Sequence, residues 1–187
     1  KRGKWLFQFR EVKHLTPEHK RLYGTGPAPL QYASHMGGWL IRLLGDLAEP
    51  TKDVYEFGVY TGGGMIEMAK IGRLQRRRFG RLWGFDSFQG LPDEAPGLGI
   101  EDRHFGAGAY SAADAYDTTN YTFITTKLLR KVGYLNTTFV QGYFNESLVP
   151  TLVRQHSFQP ALFVDLDVDL YISTAQVLDW LFWNGIL

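Results

Sequence analysis

The chain has 187 residues, 44% of them hydrophobic and 21% charged, with a formal net charge of +1. That is about one globular domain able to bury a core, and its balance argues neither for a nucleic-acid binder nor for an acidic tail. Cysteine is absent, which excludes disulfides, thiolate zinc sites and cysteine nucleophiles.

No apolar run approaches the ~20 residues of a membrane helix, and no signal-peptide pattern opens the chain. Asn120-Tyr-Thr, Asn136-Thr-Thr and Asn145-Glu-Ser match glycosylation sequons. Without an export signal they read as chance, and the expectation is a soluble cytoplasmic protein with no membrane partner.

Residues 1–50 read as an N-terminal segment whose helix, Ser34 to Leu47, packs on the core; Gly24 to Pro29 marks a loop before it. Asp53 to Gly58 is a short strand, followed by a helix from Gly62 to Arg77 that stops near Gly80. Arg81 to Asp86 is a second strand. Ser87 to Ser111 is a Gly- and Pro-rich loop, longer than a plain strand-to-helix connection and so a candidate lid. Tyr121 to Val132 is a helix closed at Gly133, and Thr137 to Gln141 a third strand. Ser147 to His156 is helical, Ala161 to Asp167 a fourth strand, and Thr174 to Trp183 a last helix. Asn184-Gly-Ile-Leu reads as a turn entering a fifth strand. The alternation predicts an α/β fold, a doubly wound parallel sheet covered on both faces over residues 51–187, truncated after the fourth strand and its helix.

Two features point to a ligand. Glu56-Phe-Gly-Val-Tyr-Thr-Gly-Gly-Gly64 follows a strand and opens a helix, so its glycines let backbone approach a bound molecule. Glu56 stands where a dinucleotide fingerprint has its first glycine, and an acid there suits an ammonium group rather than a pyrophosphate. The second strand ends in Trp-Gly-Phe-Asp86-Ser-Phe, about twenty residues on, the distance at which an acid accepts hydrogen bonds from a ribose diol. Together they suggest an adenosyl ligand. Each has a plain structural alternative: a glycine turn needed for packing, and an Asp that caps a helix.

The third feature is Phe163-Val-Asp-Leu-Asp-Val-Asp-Leu-Tyr171. Strand periodicity aims Asp165, Asp167 and Asp169 at one face, where like charges repel unless a cation or a proton sits among them.

EFGVYTGGG, GFDSFQGLP, GYFNESLVP and DVDLYIST occur in this order, and together they resemble the macrocin O-methyltransferase family over roughly residues 50 to 187. The resemblance implies a Rossmann-like methyltransferase fold, S-adenosylmethionine as donor, a small hydroxylated acceptor such as a glycoside, and commonly Mg2+. By position it implies that Glu56, Gly58, Tyr60, Thr61 and Gly62 line the methionine and ribose end. Asp86 then holds the ribose diol, with Ser87 and Phe88 beside the adenosine. Gln141, Gly142 and Phe144 lie near the adenine edge. Asp167 matches the metal ligand and base, and Asp169 a more structural acid. The family completes its metal site with an Asp-Asp pair on the strand after the next helix, whereas this sequence reaches Leu187 first. Asp165 stands where relatives carry His or Arg.

Sugar hydroxyls are poor nucleophiles, so a hard cation or a carboxylate base at Asp167 would activate one for attack on a methyl group. The alternative is that Asp167 caps the next helix while Asp165 and Asp169 face solvent. His104, Phe105 and Tyr110 in the loop are weaker candidates. The cluster Arg73, Arg76, Arg77, Arg78 and Arg81 reads as a solvated helix end. Two further readings stay open: an inert donor-binding scaffold, and an RNA methyltransferase using the arginines. Assembly as a homo-oligomer is open under any of these readings.

Overall fold

All five residues of the first strand, Asp53–Phe57 (β1), are buried, as are all five of Leu82–Asp86 (β2). Strands buried on both faces are what a covered parallel sheet requires. The computed structural model describes residues 51–74, 79–98 and 103–187. The expected N-terminal segment with its helix over Ser34–Leu47 lies outside the described residues, as do Arg76, Arg77 and Arg78.

The other strands are Thr137–Gln141 (β3) and Ala161–Leu166 (β4). The sheet order is β3-β2-β1-β4, every pair parallel. The described helices are Gly63–Leu74 (α1), Ala112–Ala115 (α2), Tyr121–Val132 (α3), Phe144–Ser147 (α4), Pro150–Gln155 (α5) and Tyr171–Trp183 (α6), with a 3-10 turn at Arg103–Phe105. Alternation along β1 and β2 sends Val54 and Leu82 into one core, with Met65 and Met68 of α1 and Leu128 of α3. Tyr55, Phe57, Trp83 and Phe85 enter a second core with Val177, Trp180 and Leu181 of α6. Helices thus cover both faces, as the alternation of elements predicts. Among the described residues no helix is long and apolar enough to cross a membrane.

α3 matches its expected limits because both ends are capped locally. Asn120 Oδ1 accepts from the Phe123 amide at 3.0 Å, and Gly133 closes the helix at φ 61°. The helix expected over Ser147–His156 is instead two short ones. Pro150 lacks an amide hydrogen and holds Val149 extended, at φ −102° and ψ 159°. α6 begins at Tyr171 rather than Thr174, and α2 is a short helix, not expected from the sequence, capped by Ser111. Beyond α6, Gly185 sits at φ 61° and the Ala161 amide donates to the Ile186 carbonyl at 2.7 Å, so the chain turns back beside the start of β4.

The three acids of the β4 motif do not share one strand face. β4 ends at Leu166, so Asp165 alone is within the strand. The Asp167 amide extends the ladder by donating to Phe57 O at 3.0 Å, and Asp169 lies beyond at φ 58°. Period-two alternation ends with the extended backbone that produces it.

Candidate active site

Parallel strands bring their C-terminal ends to one edge of the sheet, where open α/β folds bind ligands. A cavity of about 270 Å3 lies at that edge. Of the residues expected at a site, Gly58, Asp86, Ser87, Gly142 and Asp167 line it. Phe144 and Val168 add apolar wall.

The glycine turn is fixed by close backbone approach. Gly58 has φ 89°, and a Cβ there would stand 2.0 Å from the Asp167 carbonyl oxygen. Asp86 is 9% exposed. Its Oδ2 accepts from the Tyr60 amide at 2.7 Å and its Oδ1 from the Phe88 amide at 2.6 Å. Burial raises its pKa, against the lowering effect of amides of Tyr60, Phe88 and Val59. Asp86 therefore ties β2 to the glycine turn while facing the cavity.

Glu56 lies at the end of β1, opposite Gly84 on one side and Asp165 on the other. It is 2% exposed, and its Oε2 has no hydrogen-bond partner. Burial pushes its pKa well above the carboxylate range, with Asp165, Asp167 and Asp86 adding to the rise. Asp169 is also raised, by burial and then by Asp167. The strand ends therefore crowd carboxyls whose burial and mutual repulsion favour the protonated form of Glu56, a crowding that a ligand's cationic group would relieve.

The remaining expected residues, Glu56 among them, do not line the cavity. Tyr60 has φ 47°, is 40% exposed, and meets Tyr110 edge-on at 6.0 Å. Thr61 O accepts from the Tyr116 hydroxyl at 3.3 Å, and Gly62, at φ 83°, is buried where α1 begins. Gln141 is exposed at the end of β3, paired in register with Asp86. Phe88 is 1% exposed at φ 60°, and its ring packs in the core against Tyr121 and Phe139 rather than on the cavity wall.

Sequence reading missed Asp93, Asn145, Ser173 and Gln176, all on the cavity wall. Ser173 and Gln176 are three apart on α6, and the expected start at Thr174 hid that pairing. Asp93 and Asn145 carry no local signal.

The long loop is pinched at its neck. The Leu91 amide donates to Ala109 O at 2.8 Å and the Gly108 amide to Leu91 O at 2.9 Å. Tyr110 lines the cavity at φ 57°, with Phe105 at 6.3 Å, while His104 is exposed and away from the wall. Arg81 stacks its guanidinium 4.8 Å from the Trp83 ring, beside the start of β2 and so at the opposite edge of the sheet. Among the described residues no three His, Cys, Asp or Glu side chains converge to hold a metal ion. The Mg2+ expected at Asp167 therefore finds no assembled ligand set among the described residues.

The family model for Macrocin-O-methyltransferase (TylF) matches residues 47–184. The chain belongs to this family. Among solved structures it is similar to CalS11, a calicheamicin methyltransferase, at 19% identity and TM-score 0.62, over 91% of this chain and 75% of that one. It is also similar to the O-methyltransferase NovP, at 24% identity and TM-score 0.53, over 76% of this chain and 55% of that one. Both likenesses show the fold, the Rossmann-like doubly wound sheet. A comparison with curated proteins found no match.

Proposed function

We propose that this TylF-family chain is a cytoplasmic, S-adenosylmethionine-dependent O-methyltransferase acting on a hydroxyl of a small molecule, of the glycoside class. The observation that carries the reading is the juxtaposition, at one sheet edge, of the Glu56 carboxyl, one of its oxygens unpartnered, with Asp86 and Asp167 around the glycine turn. The family supports methyl transfer to oxygen as the reaction.

The residues fit the donor. A carboxylate offers about four lone-pair sites. Asp86 uses some on amides and keeps capacity for a diol. Glu56 suits an ammonium group, whose charge would draw it back to the ionised form. Gly58, Ser87 and Gly142 leave room along the strand ends, and Tyr60, Thr61 and Gly62 hold the turn. Bound S-adenosylmethionine supplies an electrophilic methyl group. Asp167, exposed at the cavity, orients the acceptor hydroxyl and takes its proton. Phe144 and Val168 supply the apolar wall beside it.

Titration calorimetry of the whole chain with S-adenosylmethionine tests the site. Asp86→Asn keeps one acceptor oxygen and is expected to weaken binding about 10- to 100-fold; unchanged affinity would remove the diol contact. Incubation with donor and a panel of glycosides, with and without magnesium, tests the reaction. Asp167→Asn is expected to lower kcat about 10²- to 10⁴-fold. A second reading is an inert donor-binding module. Donor binding without turnover across the panel would favour it.

A further inference from the structure

The two arms of the long loop are tied to each other at its neck, but a second tie reaches across the cavity edge. Glu94 Oε2 accepts from the Tyr171 amide at 2.7 Å, and Oε1 accepts from the Ile172 amide at 3.0 Å and from its own neighbour Ala95 at 2.7 Å. Tyr171 and Ile172 open α6, whose N-cap residue, Leu170, makes no side-chain cap, and whose first turn holds no acid. Helix N-termini leave amides without intrahelical partners, and carboxylates are the side chains that satisfy them best. Here the cap comes from a residue 77 positions away.

The position of this contact gives it consequence. Leu91, Pro92 and Asp93, just before Glu94, form one part of the cavity wall. Ile172, whose amide is capped, and Ser173 and Gln176 after it form another. The same helix start follows Asp167 by only four residues, through the left-handed turn at Asp169. One carboxylate thus fixes the loop to the helix that shapes the acidic strand end. The Leu91–Ala109 and Leu91–Gly108 bonds would survive its release, so the loop would hinge at its neck.

We infer that Glu94 is a positioning residue, a latch that holds the loop against the start of α6 and so closes the donor cavity and sets Asp167. The inference rests on the donor-site reading for its functional half; the latch itself does not. A cap of this kind is exposed enough to break and strong enough to bias a closed state several-fold.

The test uses the full chain in two arms. The first is hydrogen exchange in the absence of ligand, comparing wild type with Glu94→Ala and Glu94→Gln. Exchange of the peptide spanning residues 170–174 is expected to quicken about fivefold or more in Glu94→Ala. Glu94→Gln, which keeps a neutral acceptor, should fall between the two. Asn120→Ala, a cap lost from α3 elsewhere in the fold, should leave that peptide unchanged and so controls for general destabilisation. The second arm is the dissociation rate of S-adenosylmethionine by stopped flow. It is expected to rise about fivefold or more in Glu94→Ala, with partial rescue in Glu94→Gln. Unchanged exchange at 170–174 would overturn the latch. Faster exchange with an unchanged dissociation rate would reduce Glu94 to a structural cap and overturn the inference as well. If wild type binds no donor while exchange responds as expected, the donor reading fails and the latch on the helix stands. Should Glu94→Ala fail to fold, the Glu94→Gln values in both arms decide in the same way.

Discussion

At the residue scale, Glu56 is where burial and charge conflict most. Its carboxyl is almost wholly buried, one oxygen is unpartnered, and three other carboxyls raise its pKa further. A folded-state pKa above the unfolded value of about 4.3 means the native chain holds this proton more tightly. Its contribution to stability is therefore full below that unfolded value and is lost as pH rises through the folded one. Glu56→Gln keeps the shape and removes the ionisation. The variant is expected to flatten this part of the pH dependence and to gain on the order of 1 kcal/mol at pH 8. Donor affinity should fall about tenfold, because an amide cannot pair with an ammonium group as a carboxylate does. Urea midpoints at pH 5 and pH 8, with one donor titration, check both halves. A variant as pH-sensitive as wild type would mean that Glu56 is not the group responsible.

At the element scale, what was legible in the sequence follows how local the determining contacts are. α3 is readable to the residue because Asn120, Gly133 and the buried stripe Ile124, Leu128 and Val132 all lie within its own stretch. Asn120→Ala is expected to lose about 1 kcal/mol of stability with kcat and KM unchanged, measured by thermal unfolding and steady-state turnover. A change in turnover would tie α3 to the site in a way its packing does not. The start of α6 was not readable, because its cap is Glu94 and depends on the folded loop. The helix before β4 breaks at Pro150, whose restriction on Val149 outweighs a continuous helical pattern. The site divides the same way. Glu56, Gly58, Asp86 and Asp167 announce themselves by lying at strand ends, where topology decides the neighbours. Asp93, Asn145, Ser173 and Gln176 reach the cavity only through tertiary packing, and a left-handed backbone leaves the Phe88 ring in the core.

At the scale of the whole molecule, the cavity draws on every described strand end. Gly58 follows β1, Asp86 ends β2, Gly142 follows β3 and Asp167 follows β4. Such a site exists only when the sheet order β3-β2-β1-β4 is formed, so a ligand held there binds the native chain and not the unfolded one. Linkage then gives a global readout that needs no acceptor. At a free donor concentration of 100 Kd, stabilisation is about 2.7 kcal/mol. For a chain of this size that corresponds to a rise in Tm of roughly 5–10 °C. The shift should grow with the logarithm of donor concentration and shrink in Asp86→Asn at the same concentration. Adenosine, which offers the diol without the methionine cation, should give a smaller shift in wild type and nearly the same shift in Glu56→Gln. Equal sensitivity of both ligands to Glu56→Gln would show that the acid at the end of β1 acts on the fold as a whole rather than on the cationic end of the donor.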